Sequence, residues 1–255
     1  MHSDFASVIG KSHKVNQDYI RVKDNLVVLS DGCSSSPDTD FGARLLTKAC
    51  EEYEPIVAIN QASNIAKQLK LPLNCLDATL IKLKVENNIL NAEMYGDGVI
   101  ALKRKDGKTL VNSINFIDGY PQYLSYNLSI SRQEALSNCV GENKKILTTL
   151  LLDTNGDVIS SDSITEGDHP LSLKFETNIL DFAFAFSDGV ASFLRANEKD
   201  EIENVPINKV IHRLTDIKFQ KGEFIQRQMN GFLLKSKFEG WYNIDDFTVG
   251  AICLK

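Results

Sequence analysis

Two apolar runs in this chain stop on the same three residues. "NLVVLSDG" ends at Ser30-Asp31-Gly32, "FAFAFSDG" ends at Ser187-Asp188-Gly189, and a third run closes on Tyr95-Gly96-Asp97-Gly98. Asp245 stands just before the closing apolar run, and Asp18 follows "KVNQ" and opens "YIRV". Short, stiff carboxylates at strand ends suit a hard-oxygen site for Mg²⁺ or Mn²⁺. Glycine beside them permits positive φ and close backbone approach, so a peptide carbonyl can also reach an ion. One Asp-Gly is an ordinary turn signal. Several carboxylates at apolar strand ends would repel one another, and bound cations are the simplest compensation. Spacing alone leaves open whether they converge.

Rival phosphate chemistries fail on their motifs. A haloacid-dehalogenase-type site needs a second Asp two residues after the strand-end Asp, where Cys33 and Val190 stand. A Walker A loop is absent. "GDGVIA" matches a dinucleotide fingerprint, but the residues after it read as a strand, and Asp97 would face a pyrophosphate with a negative charge. His2, His169 and His212 have no metal-ligand spacing.

Composition narrows the partners. With 43% hydrophobic and 24% charged residues over 255 positions, the chain can bury a substantial core, and no linker or repeat divides it, so one domain over 1–255 is expected. The net charge of -6 and the lack of a basic run argue against nucleic acid. Cys33, Cys50, Cys75, Cys139 and Cys253 are scattered, which predicts reduced thiols in a reducing compartment. "MHSDFASVIG" does not read as a signal peptide, and no apolar run reaches the roughly 18 residues of a membrane helix. The expectation is a soluble, cytoplasmic monomer with no membrane partner.

The acids need strands to hold them. "FASVIG", "DYIRV" and "LVVLS" read as strands, then a helix over 40–53 capped by Asp38 or Thr39, then a helix over 55–69. From 77 onward, hairpins are predicted around 86–88, 105–107 and 155–156. "FAFAFS" puts Phe182, Phe184 and Phe186 on one face and Ala183 and Ala185 on the other, so it should be buried on both sides. Segments 190–196, 207–219 and 223–235 look helical, 166–170 looks like a loop, and "DFTVGAICL" closes as a strand. Strands and helices in blocks argue α+β, with two packed sheets and helices outside.

"NQD", "VVLSDG", "ATLIKLKVENNILNAEMYGDGVIALKR", "FAFAFSDGV" and "DDFTVGAICL" occur in an order and spacing that resembles the PPM (type 2C) metal-dependent Ser/Thr protein phosphatases, over about 5–254. The resemblance implies a four-layer αββα sandwich of two antiparallel sheets flanked by helices. It also implies two Mn²⁺ or Mg²⁺ ions whose water attacks phosphorus in line, without a covalent phosphoenzyme. By position, Asp31 would bridge both ions, the Gly32 carbonyl would bind one, and Asp188 and Asp245 would complete the other shell. Asp18 would act catalytically at the metal site, directly or through its waters, and Asp97 with Asp188 would hold a third, weaker ion. His13 stands where the family places an Arg that grips the substrate phosphate, so phosphate contact falls to His13 and Lys14. Gly-Asp-Ser has become Gly96-Asp97-Gly98, Asp-Asn has become Asp245-Asp246, and the Gly-Thr-Thr-like turn reads Asp77-Ala78-Thr79. None of these changes removes a metal ligand. The implied activity is hydrolysis of phosphoserine or phosphothreonine in proteins. The rivals are a pseudophosphatase used as a binding module and a small-molecule phosphoesterase.

Overall fold

The computed structural model describes residues 1–116, 119–140, 145–166, 170–197 and 199–255. The first half comprises β1 (His2–Val8), β2 (Asp18–Lys23), β3 (Leu26–Asp31), α1 (Thr39–Cys50), α2 (Pro55–Gln68), β4 (Leu80–Glu86), β5 (Ile89–Tyr95), β6 (Gly98–Arg104) and β7 (Thr109–Phe116). Then come α3 (Ile130–Val140), β8 (Lys145–Leu152), β9 (Val158–Glu166), β10 (Leu171–Glu176), β11 (Leu180–Phe186), β12 (Phe193–Ala196) and β13 (Ile202–Asn204). The chain closes with α4 (Ile207–Thr215), α5 (Phe224–Phe238), β14 (Tyr242–Asn243) and β15 (Phe247–Cys253).

Alternation along the strands builds the layers. One sheet runs β1-β15-β11-β6-β7-β8-β9, a second runs β10-β5-β4-β3-β2, and both are antiparallel. Between them lies a core that includes Val27, Leu29, Ile81, Ile100, Ala183, Ala185 and Ile252. The opposite face of β11, with Phe182, Phe184 and Phe186, packs under Val210, Ile211, Phe224 and Met229 of α4 and α5. Leu26, Val28 and Leu80 on the outer face of the smaller sheet pack under Leu46, Ala58, Ile59 and Ala62 of α1 and α2. The order is helices, sheet, sheet, helices, the αββα sandwich of the α+β class that was expected. Hairpins turn where predicted, with Asn87 and Asn88 both at positive φ between β4 and β5.

Several elements differ from the sequence reading. The helix expected over 190–196 is a single 3-10 turn, Asp188–Ala191, followed by strand β12. A Cβ on Gly189 would lie 1.8 Å from the Asp246 carbonyl oxygen, so the chain passes there in contact with its neighbour. Phe193 then packs against Phe232 and Phe247, and β12 pairs with β13 and β14 in a small third sheet. Tertiary pairing overrides the local pattern. α1 begins at Thr39 behind Asp38, whose backbone is left-handed (φ 57) and whose side chain makes no cap bond. The Thr39 hydroxyl is engaged elsewhere, donating to the Cys33 carbonyl at 3.2 Å and accepting from Gln17 Nε2 at 2.8 Å. α4 stops at Thr215, and α5 runs on to Phe238. α3, β10, β13 and β14 were not anticipated. The loop expected at 166–170 lies largely outside the described residues. Strand β6 follows Asp97 directly, so "GDGVIA" opens no helix.

Candidate active site

The antiparallel order explains why distant aspartates meet. β11 lies between β6 and β15, with Phe186 opposite both Val99 and Val249. Residues after β11 and residues before β6 and β15 therefore share one end of the large sheet, which gathers Asp188, Asp97 and Asp245. In the smaller sheet, Asp18 and Asp31 are register partners across β2 and β3. The two sheets join through Asp18, whose Oδ2 accepts a 2.7 Å hydrogen bond from Ser187 Oγ. Ser187 Oγ in turn accepts the Thr248 N–H at 2.9 Å. The other Asp18 oxygen, Oδ1, is buried with no hydrogen-bond partner among the described residues.

The crowding shows in the proton affinities. Burial pushes Asp18 up to about 7 against the hydrogen bonds from Ser187 and Thr248, and the charges of Asp188 and Asp246 add to the rise. Burial likewise takes Asp97 to about 7, with Asp188 and Asp245 repelling its charge. Asp31 is raised well above the usual carboxylate range by burial, then by Asp18, Asp188 and Asp97. Asp188 is raised by burial and Asp245, and lowered by its hydrogen bond with Asp31.

His13 sits at the rim of this cluster. Its Nδ1 is 2.9 Å from Asp246 Oδ2 and its Nε2 is 3.4 Å from Asp245 Oδ1. Burial alone would lower its pKa, but Asp246, then Asp245 and Asp18, raise it on balance. Asp246, almost fully buried, also accepts the Gly10 N–H at 2.9 Å and the Gln17 N–H at 2.7 Å. It therefore ties the loop between β1 and β2, which carries His13, to the start of β15. Lys14 is exposed.

These donors fit divalent cations. They are oxygens only, one is an orphaned buried carboxylate oxygen, and burial followed by mutual repulsion raises their proton affinities. Among the described residues, no three His, Cys, Asp or Glu side chains already surround a common point as a finished shell. A shell here would draw on the Gly32 carbonyl and on water as well. Gly32 is held in place by its backbone: it bridges Ala78 and donates its N–H to the Gln17 carbonyl at 3.2 Å.

No family model matches the sequence, and no curated protein matches it. The structure is similar to a bacterial serine phosphatase at 14% identity, covering 100% of this chain and 98% of the other, with TM-score 0.57. It is similar to the serine/threonine phosphatase of Staphylococcus aureus at 12% identity, covering 99% and 94%, with TM-score 0.52. PppA, a key regulatory component of T6SS in Pseudomonas aeruginosa, is similar at 14% identity, 98% and 96% coverage, and TM-score 0.51.

The chain has the fold of bacterial serine/threonine phosphatases. At these identities the likeness concerns the fold alone.

Within that phosphatase fold, Asp18, Asp31, Asp97, Asp188 and Asp245 lie in one electrostatic neighbourhood, with Gly32 beside Asp31. Sequence reasoning missed the supporting polar residues. Ser187 was visible only as part of Ser-Asp-Gly, and Thr248 lay unnoticed inside an apolar strand. Asp246 appeared as a departure from Asp-Asn and proved to be the anchor of the His13 loop.

Proposed function

We propose that this chain, acting as one domain over 1–255, is a metal-dependent phosphatase that hydrolyses phosphoserine or phosphothreonine in proteins. The observation that carries the reading is the strand-end aspartate cluster, with Asp18 Oδ1 left without a partner, at one end of a serine-phosphatase sandwich. Asp31, the Gly32 carbonyl, Asp188 and Asp245 are assigned to two core Mn²⁺ or Mg²⁺ ions, and Asp97 with Asp188 to a third, weaker one. Such ions, when bound, supply positive charge to the phosphoryl oxygens and acidify water.

The protein's own contribution is positioning. Ser187 pins Oδ2 of Asp18, which leaves the unpartnered Oδ1 to bind an ion or orient its water. His13 and Lys14 are assigned to the substrate phosphate. The acidic net charge and scattered free thiols support a cytoplasmic monomer that engages phosphoproteins and not nucleic acid. Among the described residues, no helix is long and apolar enough to cross a membrane.

One observation favours a second reading. His13 replaces a permanently charged Arg and is already held between Asp245 and Asp246, which suits a binding module with little turnover. Hydrolysis of a generic aryl phosphate with and without Mn²⁺ decides between them: Mn²⁺-dependent turnover supports the enzyme, and none supports the module. A panel of phosphopeptides and phosphometabolites then separates a protein phosphatase from a small-molecule phosphoesterase.

A further inference from the structure

Asp77 stands where the resembled family has a glycine, and in this chain its side chain joins two separate parts of the molecule. It is 6% exposed. One carboxylate oxygen accepts Ser36 Oγ at 3.1 Å, and the other accepts Ser125 Oγ at 2.7 Å and the guanidinium of Arg132. Ser36 belongs to the loop that begins at Asp31. Ser125 and Arg132 belong to the excursion between β7 and β8, Ser125 in the 3-10 turn Leu124–Leu128 and Arg132 in α3. The backbone repeats the tie, since Cys33 donates its N–H to the Asp77 carbonyl at 2.8 Å and Thr79 donates to the Asp31 carbonyl at 2.8 Å. Tyr123, at the start of the excursion, hydrogen-bonds Cys33 and lies close enough to Asp97 and Asp31 for their charges to raise its phenol pKa, after burial itself.

The excursion also forms one wall of a cleft of about 630 Å³, to which Tyr123, Leu124, Tyr126 and Asn127 contribute, with Gly96 on the acid side. Gly96, which lines the cleft, directly precedes Asp97 in the chain, and the cleft wall is fastened to the Asp31 loop through one buried carboxylate. Charge-assisted bonds to a carboxylate that is satisfied on both oxygens are stiff, and they fail together when the carboxylate is removed.

We propose that Asp77 is a positioning residue that locks the cleft wall at 124–134 to the Asp31–Gly32 loop, so that the surface meeting the peptide and the loop holding the ions keep a fixed relation. Its kinetic consequence rests on the phosphatase reading; the mechanical coupling does not.

Hydrogen exchange on the full metal-free chain tests the coupling. Arg132→Ala removes the charge-assisted tie on the excursion side, leaves that of Ser125, and should speed exchange in 124–134 by about tenfold while sparing 31–36, as expected for loss of a local fastening. Asp77→Ala should speed both segments, and Arg132→Lys should restore part of the protection. Wild-type exchange at 124–134 in Arg132→Ala overturns the proposal, and so does acceleration spread evenly over β4, β11 and β15. If Asp77→Ala does not fold, the two Arg132 variants still decide.

In active protein, Arg132→Ala should raise KM for a phosphopeptide several-fold more than KM for an aryl phosphate. Equal changes for both substrates remove the cleft wall from the proposal. Segment-specific exchange in a chain that hydrolyses no phosphoester would leave the coupling standing and overturn the proposed function instead.

Discussion

Asp31 carries the heaviest load at the level of single residues. It is buried among the charges of Asp18, Asp188 and Asp97, which with burial hold its carboxyl well above the usual carboxylate range. Asp31→Asn should weaken Mn²⁺ binding more than the roughly 10–100-fold typical of changes to outer partners of a metal site, with turnover falling alongside. Calorimetry that shows undiminished binding would remove Asp31 from the ligand set. Asp97 is proposed to serve only a third ion with Asp188, so Asp97→Ala should keep the two core ions and lose the third with most of the activity. Wild-type turnover in that variant would return Asp97 to the status of a turn residue.

His13 makes a separable prediction. Its pKa is raised in the folded chain, so its contribution to stability is present below its unfolded value near 6.5 and is lost as pH rises through the folded value. Urea denaturation of metal-free wild type and His13→Ala should therefore differ more at pH 5.5 than at pH 8.5. An equal difference at both would mean that His13 acts by packing and not by charge.

At the scale of elements, strand ends and the turns joining them set the geometry. Asp97 is flanked by Gly96 at φ 81 and Gly98 at φ 139, both conformations that L side chains rarely adopt. A Cβ on Gly98 would lie 2.8 Å from Ile81 Cδ1 and 3.1 Å from the Phe186 carbonyl oxygen, so the residue is squeezed between the two sheets. Replacing Ser of the family pattern by Gly thus belongs to the path of the backbone between β5 and β6. Gly98→Ala should cost about 1–3 kcal/mol through that strained backbone, and shift Asp97 with it. Chemical denaturation beside Mn²⁺ titration would show both effects, and wild-type stability would mean that the turn relaxes freely.

For the whole molecule, the aspartate cluster is a fault line between two well-packed sheets. Asp18 and Asp97 have folded pKa values of about 7 against a reference of 3.8. The folded metal-free state therefore holds more protons than the unfolded one between these values, and stability must fall as pH rises across that window. The melting temperature of metal-free protein should drop from pH 5 to pH 8, and saturating Mn²⁺ should reverse most of the drop at pH 8 by binding the folded state. A melting temperature flat in pH without metal would mean that the carboxylates are not crowded in solution.

Local signals in the sequence sufficed for the layers and for seeing that several acids stand at strand ends. Strand alternation in "FAFAFS", the Asn87-Asn88 turn and the helical character of α1 and α2 depend on neighbours a few residues away, and each appears in the fold as expected. The five aspartates were identified because each ends or begins a strand. Their convergence required the strand order, since only the placement of β11 between β6 and β15 brings Asp188, Asp97 and Asp245 to one end. The same holds for 190–196, where a helical pattern yields to pairing with β13 and β14, and for His13, whose partners lie more than two hundred residues away in sequence. Asp77 read as a turn residue because nothing near it in the chain reveals Ser125 and Arg132. Sequence periodicity records which face a residue presents, whereas partners contributed by distant strands and loops exist only once the sheets have closed.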